Sequence, residues 1–229
     1  MNQAMNKAFV INLDSKLECF QEVKEAFKPY GIESERFSAI RHEVRQVGAS
    51  LSFLTLIEQA RKKKAPWIMI LEDDCVPRPA MSEWSSISKY LIKNKKHWDV
   101  FLGGTAYVYP RVLRNDFKGE EKTLLEIIEC SHAVLSHFSI FNESSYDQLL
   151  GWHQLPALPE KRPVIDAFIP QCTKRIWTSS PHIVWQKVHN GTDLTGICLK
   201  AEEKLKHFSE QIRKSCKYRL LGHWMRTIS

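Results

Sequence analysis

The chain has 229 residues and only 6 cysteines, none of them at C-x-x-C spacing from another. That excludes zinc knuckles and small disulfide scaffolds, and the six are read as reduced thiols. Glycine and proline number 9 and 10, too few for a collagen-like or low-complexity chain. No apolar run approaches the roughly 20 residues that a membrane span requires. Neither a G-x-G-x-x-G nor a Walker pattern occurs, which speaks against a dinucleotide cofactor and against P-loop chemistry. Acidic residues are in deficit, 26 against 33 Lys and Arg, and 33 − 26 gives a net charge of +7. Such a surplus suits anionic partners: nucleotides, lipid headgroups or acidic glycans. Residues 1–7 are polar and the apolar run after them already contains Asn12 and Asp14, so no secretory leader is expected and a cytosolic location is.

What is present alternates between two periods. Residues 8–13 (AFVINL) read as a buried strand, and Leu17, Phe20, Val23 and Phe27 then recur on one helical face, with Ser15 and Glu18 at capping-box spacing. Residues 35–40 (ERFSAI) predict a second strand and 50–63 a second helix, with Leu51, Leu54, Ile57 and Ala60 inward. Residues 67–71 (WIMIL) and 98–102 (WDVFL) predict further buried strands, with a helix between them reaching about Lys93. Strands alternating with helices imply an α/β fold with a largely parallel sheet covered on both faces. Residues 105–118 read as a loop, 124–141 as an apolar region and 144–150 as a short helix. The basic, amphipathic residues 199–229 predict a C-terminal helix following a domain of residues 1–198.

The strand at residues 67–71 ends in Glu72, Asp73 and Asp74. Three adjacent carboxylates repel one another unless a cation or basic neighbour offsets the charge. A divalent cation such as magnesium or manganese, completed by substrate phosphates, is one answer; helix capping or pairing with surface lysines is the other. Ligands of such sheets bind beyond the carboxyl ends of the strands, which is where these residues should lie.

In order along the chain stand VINLD (10–14), RFSAI (36–40), GASLSFL (48–54), ILEDDCVP (70–77), WDVFLGG (98–104), SHFSIF (136–141), VIDAFI (164–169) and PHIVWQKVHNGTDLTG (181–196). In these motifs the chain resembles glycosyltransferase family 25, the group of lipopolysaccharide β-galactosyltransferases and collagen β-galactosyltransferases. It departs from the family's pattern at Phe53, where a histidine usually follows the serine, and at Thr192, which precedes Asp193 in place of a serine. The resemblance implies a GT-A-type, Rossmann-like, mostly parallel sheet with helices on both faces. It also implies a metal-dependent inverting transfer of a hexose, galactose by preference, from a UDP-sugar to a hydroxyl of a glycan or glycolipid such as lipopolysaccharide. A non-catalytic nucleotide- or glycan-binding protein and a metal-dependent phosphoesterase are the rival readings.

With the resemblance come residue roles. Glu72 and Asp74 would bind Mn2+ or Mg2+, with His189 as a third ligand from the C-terminal part, and Asp73 would contact ribose or donor sugar. Asn12, Leu13 and Asp14 would carry base and ribose contacts, and Arg36 would neutralise phosphate. Ser52 is a donor-site candidate, although Ser50 and Ser52 equally suit helix caps. Asp166, set among Ile165 and residues 167–169, is the candidate general base, since apolar surroundings raise a carboxyl's pKa; Asp193 is its runner-up. His137, in an apolar run, reads as a hydrogen-bonded core residue. Expected partners are the UDP-sugar donor and a glycan or glycolipid acceptor. The basic C-terminal helix either packs on the domain or makes peripheral contact with an anionic membrane, and no nucleic-acid partner is expected.

Overall fold

A computed structural model describes residues 5–117, 119, 125–187 and 195–227, with side chains of the final helix given for residues 196–214. The chain order begins β1 (Lys7–Asn12), α1 (Leu17–Phe27), β2 (Glu33–Ser38), α2 (Arg45–Lys62), β3 (Trp67–Glu72), β4 (Cys75–Pro77), α3 (Trp84–Lys93) and β5 (Val100–Leu102). It continues β6 (Ala106–Leu113), β7 (Glu126–Val134), β8 (Phe138–Asn142), α4 (Tyr146–Leu150), α5 (Ile165–Cys172), β9 (Ile176–Ser180), β10 (Val184–Gln186) and α6 (Thr195–Thr227).

Eight strands form one sheet in the order β2-β1-β3-β8-β5-β9-β7-β6, and β4 pairs with β10 in a separate ribbon. Strands β2, β1, β3, β5, β9 and β6 run one way, and β8 and β7 the other. The fold is thus α/β with a mostly parallel sheet. The alternation of side chains explains why both faces are covered. Ile68, Ile70, Val100 and Leu102 enter one core with Phe53, Leu54 and Ile57 of α2 and Ile165 and Phe168 of α5. Met69, Leu71 and Phe101 enter the other, with Val23 and Phe27 of α1 and Trp84, Ile87 and Leu91 of α3.

Three expectations fail locally, each for a physical reason. Residues 105–118 are not a loop throughout, because Ala106 and Val108 are buried between exposed Tyr107 and Tyr109, the two-residue period of a strand. Pro110 and register shifts on either side of it hide that period, and a proline is tolerated because β6 is the sheet edge. Ser50 and Ser52 do not cap α2, which starts five residues before Ser50, at Arg45, behind Val44. Ser15 does not cap α1 either: its N-cap is Lys16, which makes no side-chain cap bond, and Leu17 is exposed. Gly48 is where the chain after β2 crosses α2, since a Cβ there would lie 2.5 Å from the Ile40 carbonyl oxygen.

The first half of α6 packs along β6. Ala201 and Leu205 are buried in the α2-side core, and Phe208 and Ile212 pack against it. Among the described side chains of this helix, Ala201, Leu205, Phe208 and Ile212 are thus committed to the domain, with Leu199 left exposed. No helix among the described residues is long and apolar enough to cross a membrane. Leu205→Ala is expected to cost about 2–5 kcal/mol of stability in denaturant unfolding, the range for emptying a buried leucine site. A change within error would mean that α6 does not hold the domain together.

Candidate functional site

The sheet brings the ends of β1, β2 and β3 side by side, and with them Asn12, Ser38 and Glu72. Asn12 is buried, and its Nδ2 donates to Asp73 Oδ2 at 2.8 Å and to the Lys16 carbonyl at 2.7 Å. Its Oδ1 accepts from Arg36 Nε at 3.0 Å. Arg36 also pairs with Asp14, whose Oδ1 accepts from Ser38 Oγ at 2.6 Å. The Ser38 hydrogen bond first, and Arg36 second, hold the Asp14 carboxyl below its ordinary value. Asn12, Asp14, Arg36 and Asp73 are therefore joined in one polar chain across three strands, and Leu13 lines the cleft above it.

That cleft has a volume of about 540 Å³. Glu72 and Asp73 form part of its wall, with Lys16, Arg41 and Arg45 around it and Phe53 at its inner side. Cations and carboxylates on one concave surface suit an anionic ligand that carries its own hydrogen-bonding groups.

The three consecutive carboxylates turn to three different partners. Glu72 Oε1 lies 3.1 Å from Ser136 Oγ, Asp73 bonds Asn12, and Asp74 Oδ2 accepts from Gln186 Nε2 at 2.7 Å. Among the described residues no group of three or more His, Cys, Asp or Glu is gathered for a metal ion. Glu72 and Asp74 do offer carboxylate oxygens, the donor type that magnesium or manganese takes.

Ser136 Oγ also contacts Asp166 Oδ1, so one hydroxyl bridges two carboxyl groups. A hydroxyl has one proton to donate, and the bridge is complete only when one carboxyl holds a proton of its own. The electrostatics agree. Burial, then the Asp166 charge, then that of Asp74 push the Glu72 carboxyl from its ordinary 4.5 up to about 8, against the opposing Ser136 bond. Burial likewise raises Asp166. Asp166 sits in the first turn of α5 behind Val164, which is the N-cap, so it does not cap that helix.

Other expected residues lie elsewhere. Ser52 is buried inside α2, donating to the Gly48 carbonyl at 2.8 Å and accepting from the Ile40 N–H at 2.8 Å, so it positions the loop after β2 and does not reach the cleft. Ser50 donates to the Gln46 carbonyl and accepts from the Ile165 N–H, which ties α5 to α2. His137 is buried as expected, but neither ring nitrogen has a hydrogen-bond partner among the described residues, and burial, then His182, push its pKa down to about 3. His189 and Asp193 lie outside the described residues. The sequence reading gave no role to Ser136, Gln186, Lys16, Arg41 or Arg45. A polar pair, Ser136 and His137, inside the apolar region 124–141 was the available signal for the first.

No protein-family model and no curated protein matches the chain. Solved structures do resemble it, three of them as follows. The first is a glycosyltransferase involved in the glycosylation of the major capsid of PBCV-1, 11% identical, TM-score 0.42, covering 75% of this chain and 80% of that one. The second is apo UDP-glucose pyrophosphorylase, 10% identical, TM-score 0.44, covering 88% and 82%. The third is a mannose-1-phosphate geranyltransferase from Thermus thermophilus, 8% identical, TM-score 0.39, covering 76% and 72%. At these identities and scores no residue role carries over from any of them.

A carboxyl raised on folding stabilises the native state fully below its unfolded pKa, and that contribution is lost as pH rises through the folded one. In EDTA, Glu72→Gln is therefore expected to gain stability relative to the parent as pH rises from about 4.5 to about 8. Parallel melting-temperature profiles over that window would show that Glu72 is not the strained proton-holder.

Proposed function

We propose that the chain is a nucleotide-sugar-dependent glycosyltransferase that moves a hexose, galactose by preference, from a UDP donor to a hydroxyl of a glycan or glycolipid such as lipopolysaccharide. The observation that carries the reading is the Glu72–Ser136–Asp166 bridge beside a cleft ringed by Lys16, Arg41 and Arg45. The choice of sugar and acceptor rests on the resemblance in the eight motifs.

As the glycosidic bond breaks, negative charge accumulates on the departing diphosphate. Lys16, Arg41 and Arg45 stand where they can hold that charge, and preorganised cations in a cleft contribute more than the same charges in water. Asp74, with Glu72 once it gives up its proton, would hold Mn2+ or Mg2+. Such a cation, when bound, neutralises the diphosphate as a Lewis acid. Asp73, fixed by Asn12, faces the ribose or donor sugar in this reading. Asn12, Leu13 and Asp14 take the nucleoside, and Arg36 fixes Asn12 and Asp14 from behind.

Inversion requires a base on the face of the sugar opposite the leaving group. Asp166 takes that role: burial makes its carboxylate more basic than a free one, and with Glu72 ionised on the cation the single proton of the Ser136 hydroxyl turns to Asp166. Ser136 holds it in place. Asp193 and His189 remain the alternative base and the third metal ligand of this reading.

UDP is expected to raise the melting temperature of the full chain, more so with manganese, because a ligand that binds the native state stabilises it. Asp166→Asn should keep that shift while turnover of a UDP-hexose falls by about 10²–10⁴-fold, the usual worth of a positioned base. Full activity in that variant would remove Asp166 from the reaction. A UDP shift in the parent without turnover of any UDP-hexose on glycan acceptors would make the chain a non-catalytic binder.

A further inference from the structure

The edge strand β6 carries two exposed aromatic rings, Tyr107 and Tyr109, at 63% and 58% exposure, on either side of buried Val108. Lys204 of α6 places its ammonium 4.1 Å from the centre of the Tyr109 ring, and His132 of β7 meets the same ring edge-on at 5.6 Å. Tyr107, Tyr109, Lys200 and Lys204 line a hollow of about 300 Å³ with Ile197 and Ala201.

Tyr107 is also strained, with a φ of 50°, a left-handed conformation that a bulky residue adopts at a cost. A large aromatic held both exposed and strained gains little for the fold, and strain of this kind collects at ligand sites. The position adds to this. Ala106, the neighbour of Tyr107, pairs with Val134, two residues before Ser136, so the strand that carries the patch starts against the segment that leads into the Glu72–Ser136–Asp166 bridge.

We propose that Tyr107, Tyr109, Lys200 and Lys204 form an acceptor subsite for an anionic glycan. The proposal rests on the glycosyltransferase reading and names the substrate class of that site. The C–H face of a hexose ring packs on an aromatic face, and the exposed rings of Tyr107 and Tyr109, which line the same hollow, offer such faces. Lys204, positioned by its contact with Tyr109, and Lys200, one helical turn earlier, supply the charge for a carboxylate or phosphate on the sugar. Among the described residues the ion pairs of α6 are those of Glu202 and Arg213, so a neutral glycan would leave these two ammonium groups without a counter-charge.

The test is calorimetric titration of the full chain, the Tyr107→Gly variant and the Lys204→Ala variant with three probes: maltotetraose, a uronate-bearing tetrasaccharide and a phosphate-bearing tetrasaccharide. At least one anionic probe is expected to bind the parent more tightly than maltotetraose, and tenfold or more weakly to each variant. Tyr107→Gly should meanwhile melt no lower than the parent, because glycine adopts positive φ freely. Failure of both anionic probes, equal binding by maltotetraose, unchanged binding in the variants, or a lowered melting temperature in Tyr107→Gly would each overturn the assignment. UDP stabilisation measured on the same samples separates the two readings. If UDP stabilises all three proteins while glycan binding is insensitive to the patch, the subsite alone falls. If UDP fails to stabilise the parent, the donor reading falls, and the glycan titrations still decide the patch.

Discussion

Three consecutive carboxylates at the end of a buried strand cannot coexist without help, and the architecture around this site follows from that constraint. Glu72, Asp73 and Asp74 are each assigned a partner from a different part of the chain: Ser136 before β8, Asn12 at the end of β1, and Gln186 on β10. The sheet order puts β8 and β1 on either side of β3, and pairing of β10 with β4 brings Gln186 over the turn. The backbone takes part as well, since the Lys187 N–H donates to the Asp74 carbonyl at 2.8 Å and the Glu72 N–H to the His137 carbonyl at 3.0 Å. Repulsion that would splay an isolated acidic turn is here divided among three neighbours.

At the other end of the sheet a second buried charge is treated differently. Asp99, just before β5, is pushed up by burial, but bonds from Arg175 and Ser144 outweigh that and leave its carboxyl below the ordinary value. Arg175 just precedes β9, the strand parallel to β5, so this ion pair fixes the register of two strands. One acid is thus fully compensated and structural, while Glu72 is left under-compensated beside a cleft. An under-compensated carboxyl of this kind is what the proposed reaction would draw on, whereas Asp99 serves the framework.

Much of the fold was legible because buried strands write themselves as short apolar runs. Residues 67–71 and 98–102 announced β3 and β5, and Phe20, Val23 and Phe27 announced the inner face of α1. What could not be read was set by contacts distant in sequence. The α2 start at Arg45 has no side-chain cap to signal it, and β6 is interrupted by Pro110 at a bulge. Glu72, Asp73, Asp74 and Asp166 were visible as acids out of place in apolar segments. The division of the first three among separate partners, and the bridging hydroxyl of Ser136, depend on how β7, β8 and α5 meet, a packing fact that no spacing encodes.

The last helix has a consequence beyond packing. A sheet edge offers a row of unpaired backbone groups on which another chain can extend the ladder. β6 is such an edge, with two exposed tyrosines and the half-exposed Val112 on it. α6 packs against β6 and buries Ala201 and Leu205 in the core beneath it, which anchors this edge strand to the domain. The basic helix is in that sense a clamp on the sheet's last strand: without it the side chains that β6 turns inward would lose the cover that Ala201 and Leu205 provide.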